Sequence, residues 1–313
     1  MQAGGIDFDT DTDTDSDYKG EVFVVTRHIV TYGKMIKFSH TIFALPFALS
    51  AVLLALREHP VSSAWPVLWI VLAMVGARSA AMGFNRIVDA RFDAKNPRTA
   101  GREIPAGKIS LLSAALFVVL SAGLFIFSAA MLNPLCFYFS FPVLVLLLSY
   151  SFTKRFTMFC HLYLGFVISL APLGAWMAIT GEFSWRIAVL SAALLTYIAG
   201  FDIIYACQDT TFDRDTGLFS MPARIGVRAS LHLSSLLHVL STAAFVALLF
   251  VFDLNVIYLI TVIMIATLYG IEHVVARPGK PEAIQMAFFN INGVISILLF
   301  CGIAADLMVE KWL

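Results

Sequence analysis

Charge is scarce in this chain. Only 13% of its 313 residues are charged, about half the share of an ordinary soluble domain, while 59% are hydrophobic and mean hydropathy is +0.85. That much apolar mass does not fold in water around one core, so a soluble globular class is excluded. Cysteine is nearly absent as well. Cys136, Cys160, Cys207 and Cys301 lie far apart with no CxxC pair, which argues against a disulfide framework and against a thiolate metal site. The seven histidines show no HxxxH or HExxH spacing, so the helical zinc motif is missing too. His40 is read as a helix–helix hydrogen-bonding residue more readily than as a pocket lining.

Long apolar runs are what the sequence has in abundance. A spanning helix needs roughly 20 mostly apolar residues. That rule gives nine candidates, at approximately 37–57, 65–84, 110–131, 134–150, 158–180, 186–207, 230–251, 254–274 and 284–306. Pro46, Pro142 and Pro172 fall inside three of them, which membranes tolerate because neighbouring groups re-satisfy the freed carbonyls. The expected fold is therefore all-α: a polytopic bundle of nine transmembrane helices, two four-helix halves plus one, in a lipid bilayer.

The formal net charge of zero is a sum of unlike parts. Residues 1–21 hold seven acids and one base, Lys19. Their Asp-Thr alternation has no apolar face to bury, so residues 1–33 read as an acidic disordered tail and lead-in. This is also the opposite of a signal peptide, which begins basic. Residues 34–313 read as a single transmembrane domain. Of the 21 Lys and Arg, 17 fall on one side of the expected spans, three on the other, and Arg78 lies inside the second span. The positive-inside rule then puts the N-terminus in the cytoplasm, and an odd number of spans puts the C-terminus outside. The expected location is the inner (cytoplasmic) membrane, multi-pass. Topology absorbs the basic residues, and no nucleic-acid partner is expected.

Beyond the tail only 14 acids remain, and they are not scattered. Two connections on the basic side, 85–109 and 208–229, hold most of the chemistry. Asn85, Asp89 and Asp93 recur every four residues, which places them on one face of a continuing helix. Asp209 and Asp213 repeat the spacing, and Asp202, seven residues earlier, falls on the same face as Asp209. Paired carboxylates on two faces suit Mg²⁺, a hard cation that takes oxygen ligands and leaves positions for phosphate. Arg98, Arg102 and Lys154 stand beside the acids, as a diphosphate would require. Lys108 and Arg228 are explained by topology alone. An ion-coupled transporter is the alternative from another class, because intramembrane acids also form ion relays. Such relays sit near the midplane, whereas these acids gather at one face beside arginines.

These residues carry a family resemblance. Asn85–Asp93 in the pattern NxxxDxxxD, followed by Arg98-Thr99 and Arg102, resembles the first motif of the UbiA superfamily of intramembrane prenyltransferases. Asp209–Asp213, with Gly217, Ser220, Pro222 and Gly226 behind it, resembles the second. Tyr150-Ser-Phe-Thr-Lys154-Arg155 resembles its YxxxK motif. Within the superfamily, Lys34–Leu49 and Asp202-Ile-Ile-Tyr205-Ala look closest to the 4-hydroxybenzoate polyprenyltransferase branch. Two departures stand out. The common Arg-Pro is Arg102-Glu-Ile-Pro105 here, and the acidic tail has no counterpart.

The resemblance implies a Mg²⁺-dependent aromatic prenyltransferase of quinone biosynthesis, moving a polyprenyl chain from its diphosphate to an aromatic carboxylic acid of the 4-hydroxybenzoate type. A dihydroxynaphthoate acceptor, in menaquinone biosynthesis, is the alternative. It implies metal ligands at Asn85, Asp89, Asp93, Asp209 and Asp213, with Asp89, Asp209 and Asp202 as catalytic residues. Diphosphate contacts fall to Arg98, Arg102 and Lys154. The aromatic acid would be bound by Arg155, Asp202 and Tyr150: Arg155 could pair with its carboxylate, and Asp202 could orient or deprotonate its phenol. The active site would face the cytoplasm.

Overall fold

The computed structural model describes residues 30–37, 43–276 and 281–310. The acidic stretch 1–21, His40 and the basic residues Lys19, Arg27, Arg277, Lys280 and Lys311 lie outside the described residues. Among those described, every regular element is helical. Within the expected lead-in, residues 30–35 form a short helix, and Tyr32 stacks on Phe117 with ring centroids 5.1 Å apart.

The long helices are α1 Leu45–Glu58, α2 Trp65–Lys95, α3 Leu111–Ala130, α4 Pro134–Thr153, α5 Cys160–Thr180 and α6 Trp185–Ala206. After a 3₁₀ turn at Cys207–Asp209 come the short helices α7 Thr210–Asp215 and α8 Met221–Ile225. The chain continues through α9 Val227–Val251, α10 Val256–Ala276, α11 Pro281–Met286, a π turn at Ala287–Ile291, and α12 Asn292–Glu310. Eight helical stretches among the described residues are long and apolar enough to cross a membrane, and each coincides with one of the nine expected spans. The expected first span, 37–57, appears as α1, whose 14 residues measure about 21 Å at 1.5 Å per residue. That is short of a hydrocarbon core of about 30 Å, and residues 38–42 lie outside the described residues.

Local chemistry explains where these helices start and stop. Ser110, Asn133 and Ser184 cap α3, α4 and α6 by accepting from the backbone N–H groups of Ser113, Cys136 and Arg186, the ordinary service of short polar side chains at a helix start. Asn133 also donates to Met177 O at 2.8 Å, which makes the three-residue α3–α4 connection workable. Gly181 ends α5 at φ +77°, a conformation that costs glycine nothing. Pro142 and Pro172 are inside α4 and α5 as expected. Pro46 is also inside a helix, but in the first turn of α1, where its missing N–H has no intrahelical partner to lose.

Packing follows the logic of a bilayer. Large apolar side chains such as Leu112, Tyr138 and Phe250 are exposed on the outside, while small residues bring helices together. A Cβ on Gly76 would meet the Phe125 backbone nitrogen at 2.7 Å, and one on Gly165 would strike Leu195 O. Close approach of α2 to α3, and of α5 to α6, therefore requires glycine at those two positions.

Candidate active site

One end of the bundle gathers the C-terminal ends of α2, α4 and α6 and the start of α5 around a cavity of about 180 Å³. Every residue given a metal, diphosphate, acceptor or catalytic role from the sequence lines it: Asn85, Asp89, Asp93, Arg98, Arg102, Tyr150, Lys154, Arg155, Asp202, Asp209 and Asp213. Lys108 and Arg228 do not.

The first motif stands on uninterrupted helix. α2 does not stop near residue 84 but runs to Lys95, so four-residue spacing stacks Asn85, Asp89 and Asp93 on one face. Asn85 Nδ2 donates to Asp89 Oδ2 at 2.9 Å. Asp93 is buried and receives Arg102 Nη1 on Oδ1 at 2.6 Å. Arg102 thus reaches the site even though the Arg-Pro pattern is interrupted. Thr99 Oγ1 donates to Asp93 O at 3.1 Å, closing the helix end.

The second motif is built differently. α6 ends at Ala206 and Asp209 closes a 3₁₀ turn, so the backbone tightens before α7 begins. The turn tightens the seven-residue spacing between Asp202 and Asp209, and both still face the cavity. Asp209 accepts from Arg98 Nε at 2.9 Å, from Arg98 Nη2 at 2.5 Å and from Asn96 Nδ2 at 3.1 Å. Asp213 is fully buried, pairs with Lys154 Nζ at 2.8 Å, and accepts from Ser220 Oγ at 2.6 Å.

The adjacent cations Lys154 and Arg155 separate at the end of α4. Lys154 serves Asp213, while Arg155 Nη2 lies 3.3 Å from Asp89 Oδ1 and donates to Val88 O at 2.8 Å. The Arg155 guanidinium also rests over the Phe92 and Phe152 rings, at 5.2 and 5.4 Å. Burial alone would pull the Lys154 ammonium down, yet the charge and hydrogen bond of Asp213 leave it raised. Arg98 behaves likewise: burial opposes its charge, and its bonds to Asp209 and Tyr205 outweigh the cost. Both remain cations.

Five acids (Asp89, Asp93, Asp202, Asp209, Asp213) and five cations (Arg86, Arg98, Arg102, Lys154, Arg155) line the cavity. Its formal charge is therefore zero with His161 neutral. Among the described residues, no three His, Cys, Asp or Glu side chains form a ready metal-binding group, because each motif carboxylate leans toward its own cation. The donor set nevertheless fits a hard divalent ion. It is all oxygen, and Asp93 Oδ2 is buried without a hydrogen-bond partner.

Several residues of the site escape a reading by spacing. Asn96 and Arg86 line the cavity, and buried Arg86 donates from Nε to Met35 O at 3.1 Å. Lys37 Nζ lies 5.9 Å from the Tyr205 ring centroid, and Tyr205 OH accepts from Arg98 Nη1 at 2.9 Å. Tyr205 is thus bonded into the site rather than being only an interfacial anchor. The largest omission is His161, whose Nδ1 is 2.6 Å from Asp202 Oδ2. Its partner is 41 residues away in the chain, and no short motif signals such a pair.

Comparison with known proteins gives the arrangement its context. The sequence profile described as the UbiA prenyltransferase family matches residues 44–294. The 4-hydroxybenzoate octaprenyltransferase of Vibrio parahaemolyticus is 32% identical over 253 residues, covering 79% of this chain and 86% of that protein. A UbiA homologue from Aeropyrum pernix K1, solved without ligand, superposes with a TM-score of 0.78 at 33% identity, covering 86% of this chain and 98% of that one. A UbiA homologue from Archaeoglobus fulgidus, solved with GPP and Mg²⁺, shares the fold at 17% identity with a TM-score of 0.66, covering 88% and 99%.

Proposed function

This chain belongs to the UbiA prenyltransferase family, and from that premise we propose that it transfers a polyprenyl chain from its diphosphate to the ring of 4-hydroxybenzoate, with Mg²⁺, at the cytoplasmic face of the inner membrane. The observation that carries the reading is the charge balance of the cavity. Five acids facing five cations leave no surplus positive charge for a diphosphate. Five cations alone would have sufficed to bind an anion. Carboxylates in equal number make sense when the diphosphate arrives with divalent cations, which the acids then hold. Asn85, Asp89, Asp93, Asp209 and Asp213 are the residues that would hold them. When bound, the ions supply Lewis-acid charge on the diphosphate oxygens as the allylic C–O bond breaks.

The chain's own residues do the rest. Arg98, Arg102 and Lys154 exchange part of their carboxylate contacts for diphosphate oxygens and stabilise the leaving group through charge-assisted bonds. Phe92, Phe212 and Leu218 line the same cavity and keep water from the allylic cation. Arg155 turns from Asp89 to the acceptor carboxylate, which its planar fork matches. Tyr150 lines the acceptor side one turn before Lys154. Asp202 accepts the phenolic proton as the ortho carbon attacks and the new C–C bond forms. Loss of the ring proton to the released diphosphate, with return of the phenolic proton from Asp202, restores the aromatic ring.

The same site chemistry would serve a dihydroxynaphthoate, which also offers a phenol and a carboxylate. The 4-hydroxybenzoate reading is preferred because the relative from Vibrio parahaemolyticus carries that name. The ion-coupled transporter is not favoured, since family membership makes the chain a prenyltransferase. Charge bias supports the cytoplasmic placement, because the cavity lies at the end of the bundle where 17 of the 21 basic residues are expected. The deciding experiment supplies membranes containing the protein with a polyprenyl diphosphate and, separately, 4-hydroxybenzoate or dihydroxynaphthoate. Prenylated 4-hydroxybenzoate is expected; product from the naphthoate alone would replace the acceptor, and product from neither would overturn the function.

A further inference from the structure

His161 is a strongly coupled polar group of the cavity without a place in the chemistry above. It sits in the first turn of α5, 3% exposed, while Asp202, one turn before the end of α6, is partly open to the cavity. Their contact is short, 2.6 Å from Nδ1 to Oδ2. On the other side of the ring, the Met221 backbone N–H donates to Nε2 at 3.4 Å. The short contact sets a proton on Nδ1, between the ring and Asp202 Oδ2.

Met221 is itself held by a loop fastened at several points. Phe219 N–H donates to Lys154 O at 2.7 Å, and Cys160 Sγ lies 3.4 Å from Phe219 O. Ser220 donates to Asp213 in the same loop. Residues 219–221 therefore tie the diphosphate side, through Lys154 and Asp213, to the imidazole that meets Asp202.

We propose that His161 is the positioning residue for Asp202: donating from Nδ1 it occupies Oδ2 and presents Oδ1 to the acceptor's phenol. This deepens the proposed function and rests on it. The bond forms no product and moves no proton of its own. It decides which carboxylate oxygen receives the phenolic proton, as an orienting partner does for a catalytic base. Removing it should therefore slow transfer without weakening the diphosphate.

The test uses detergent-purified full-length protein with Mg²⁺, a polyprenyl diphosphate and 4-hydroxybenzoate, comparing His161→Asn with His161→Gln. The Asn amide nitrogen falls where Nδ1 stands, whereas Gln reaches toward the Nε2 side. His161→Asn is expected to keep kcat within about 10-fold of wild type, and His161→Gln to lose roughly 100-fold, with KM for the diphosphate unchanged in both. Equal kcat for the two variants overturns the proposal. So does a loss expressed as raised diphosphate KM or as failure of either variant to purify as a monodisperse protein, either of which marks a packing role. Wild-type protein that prenylates no phenolic acid overturns the function itself; active wild type with equal variants overturns only the role of His161.

Discussion

The two acid motifs have the same spacing on unlike backbones. Asn85, Asp89 and Asp93 stand on α2, a 31-residue helix whose periodicity alone aligns them. Asp209 and Asp213 stand on a 3₁₀ turn and a six-residue helix, too short to hold direction unaided. Their orientation comes from Ser220 in the loop that follows and from Arg98, Asn96 and Lys154, brought from elsewhere in the chain. The first motif is thus positioned by secondary structure and the second by tertiary contact. Replacing a carboxylate should hurt both alike, while replacing a supporting partner should hurt the second more.

The largest expected effect treats the motifs equally. Asp89→Asn and Asp209→Asn should each lower prenyl transfer by about 10³-fold while the protein still inserts and purifies; normal turnover in either would falsify the shared metal site. Chelation is the corresponding test without mutation: EDTA should abolish transfer and added Mg²⁺ restore it, measured as product formed per minute. Unchanged turnover after chelation would remove the metal from the reading.

Supporting cations should then divide the motifs. Arg98 links the loop after the first motif to Asp209 with three donors' worth of contacts, including Tyr205, whereas Arg102 serves only its own motif through Asp93. Arg98→Ala should cost roughly 100-fold in kcat/KM for the diphosphate, and Arg102→Ala about 10-fold, in keeping with the worth of charged hydrogen bonds. A reversed order would break the comparison. Arg155→Ala should act on the other substrate, raising KM for 4-hydroxybenzoate roughly 10-fold to 100-fold and leaving diphosphate KM alone. A change confined to the diphosphate would reassign Arg155 to the leaving group.

The smallest pair sharpens the contrast most. Ser220→Ala removes the hydroxyl bond to buried Asp213 and should lower kcat/KM about 3-fold to 10-fold. Thr99→Ala removes a bond to a backbone carbonyl at the end of a long helix and should stay within about 3-fold. Equal losses would mean that α2 needs its end cap as much as the second motif needs its loop.

Much of this site was legible because charge is so rare here. In an apolar chain each intramembrane-edge acid costs free energy and marks a function, so the motif carboxylates and neighbouring cations stand out, and the cavity contains them all. Partners were not legible. Lys154 and Arg155 are consecutive in sequence, and nothing in their spacing tells that one serves Asp213 and the other lies against Asp89. Asp202 and Asp209 share the cavity as their spacing implied, although a 3₁₀ turn tightens the period at Cys207. His161 was passed over because histidines were judged by local metal-ligand spacing, while its partner lies on another helix.

The sequence by itself determined that this is an all-helical chain, where eight of its nine expected spans run, and which residues carry charge into one end of the bundle. Hydropathy and helical period are local quantities, so a one-dimensional reading captures them. Only the tertiary structure decided which cation meets which carboxylate, that the cavity is formally neutral, and that His161 faces Asp202. Those depend on how helix ends distant in sequence converge around one cavity.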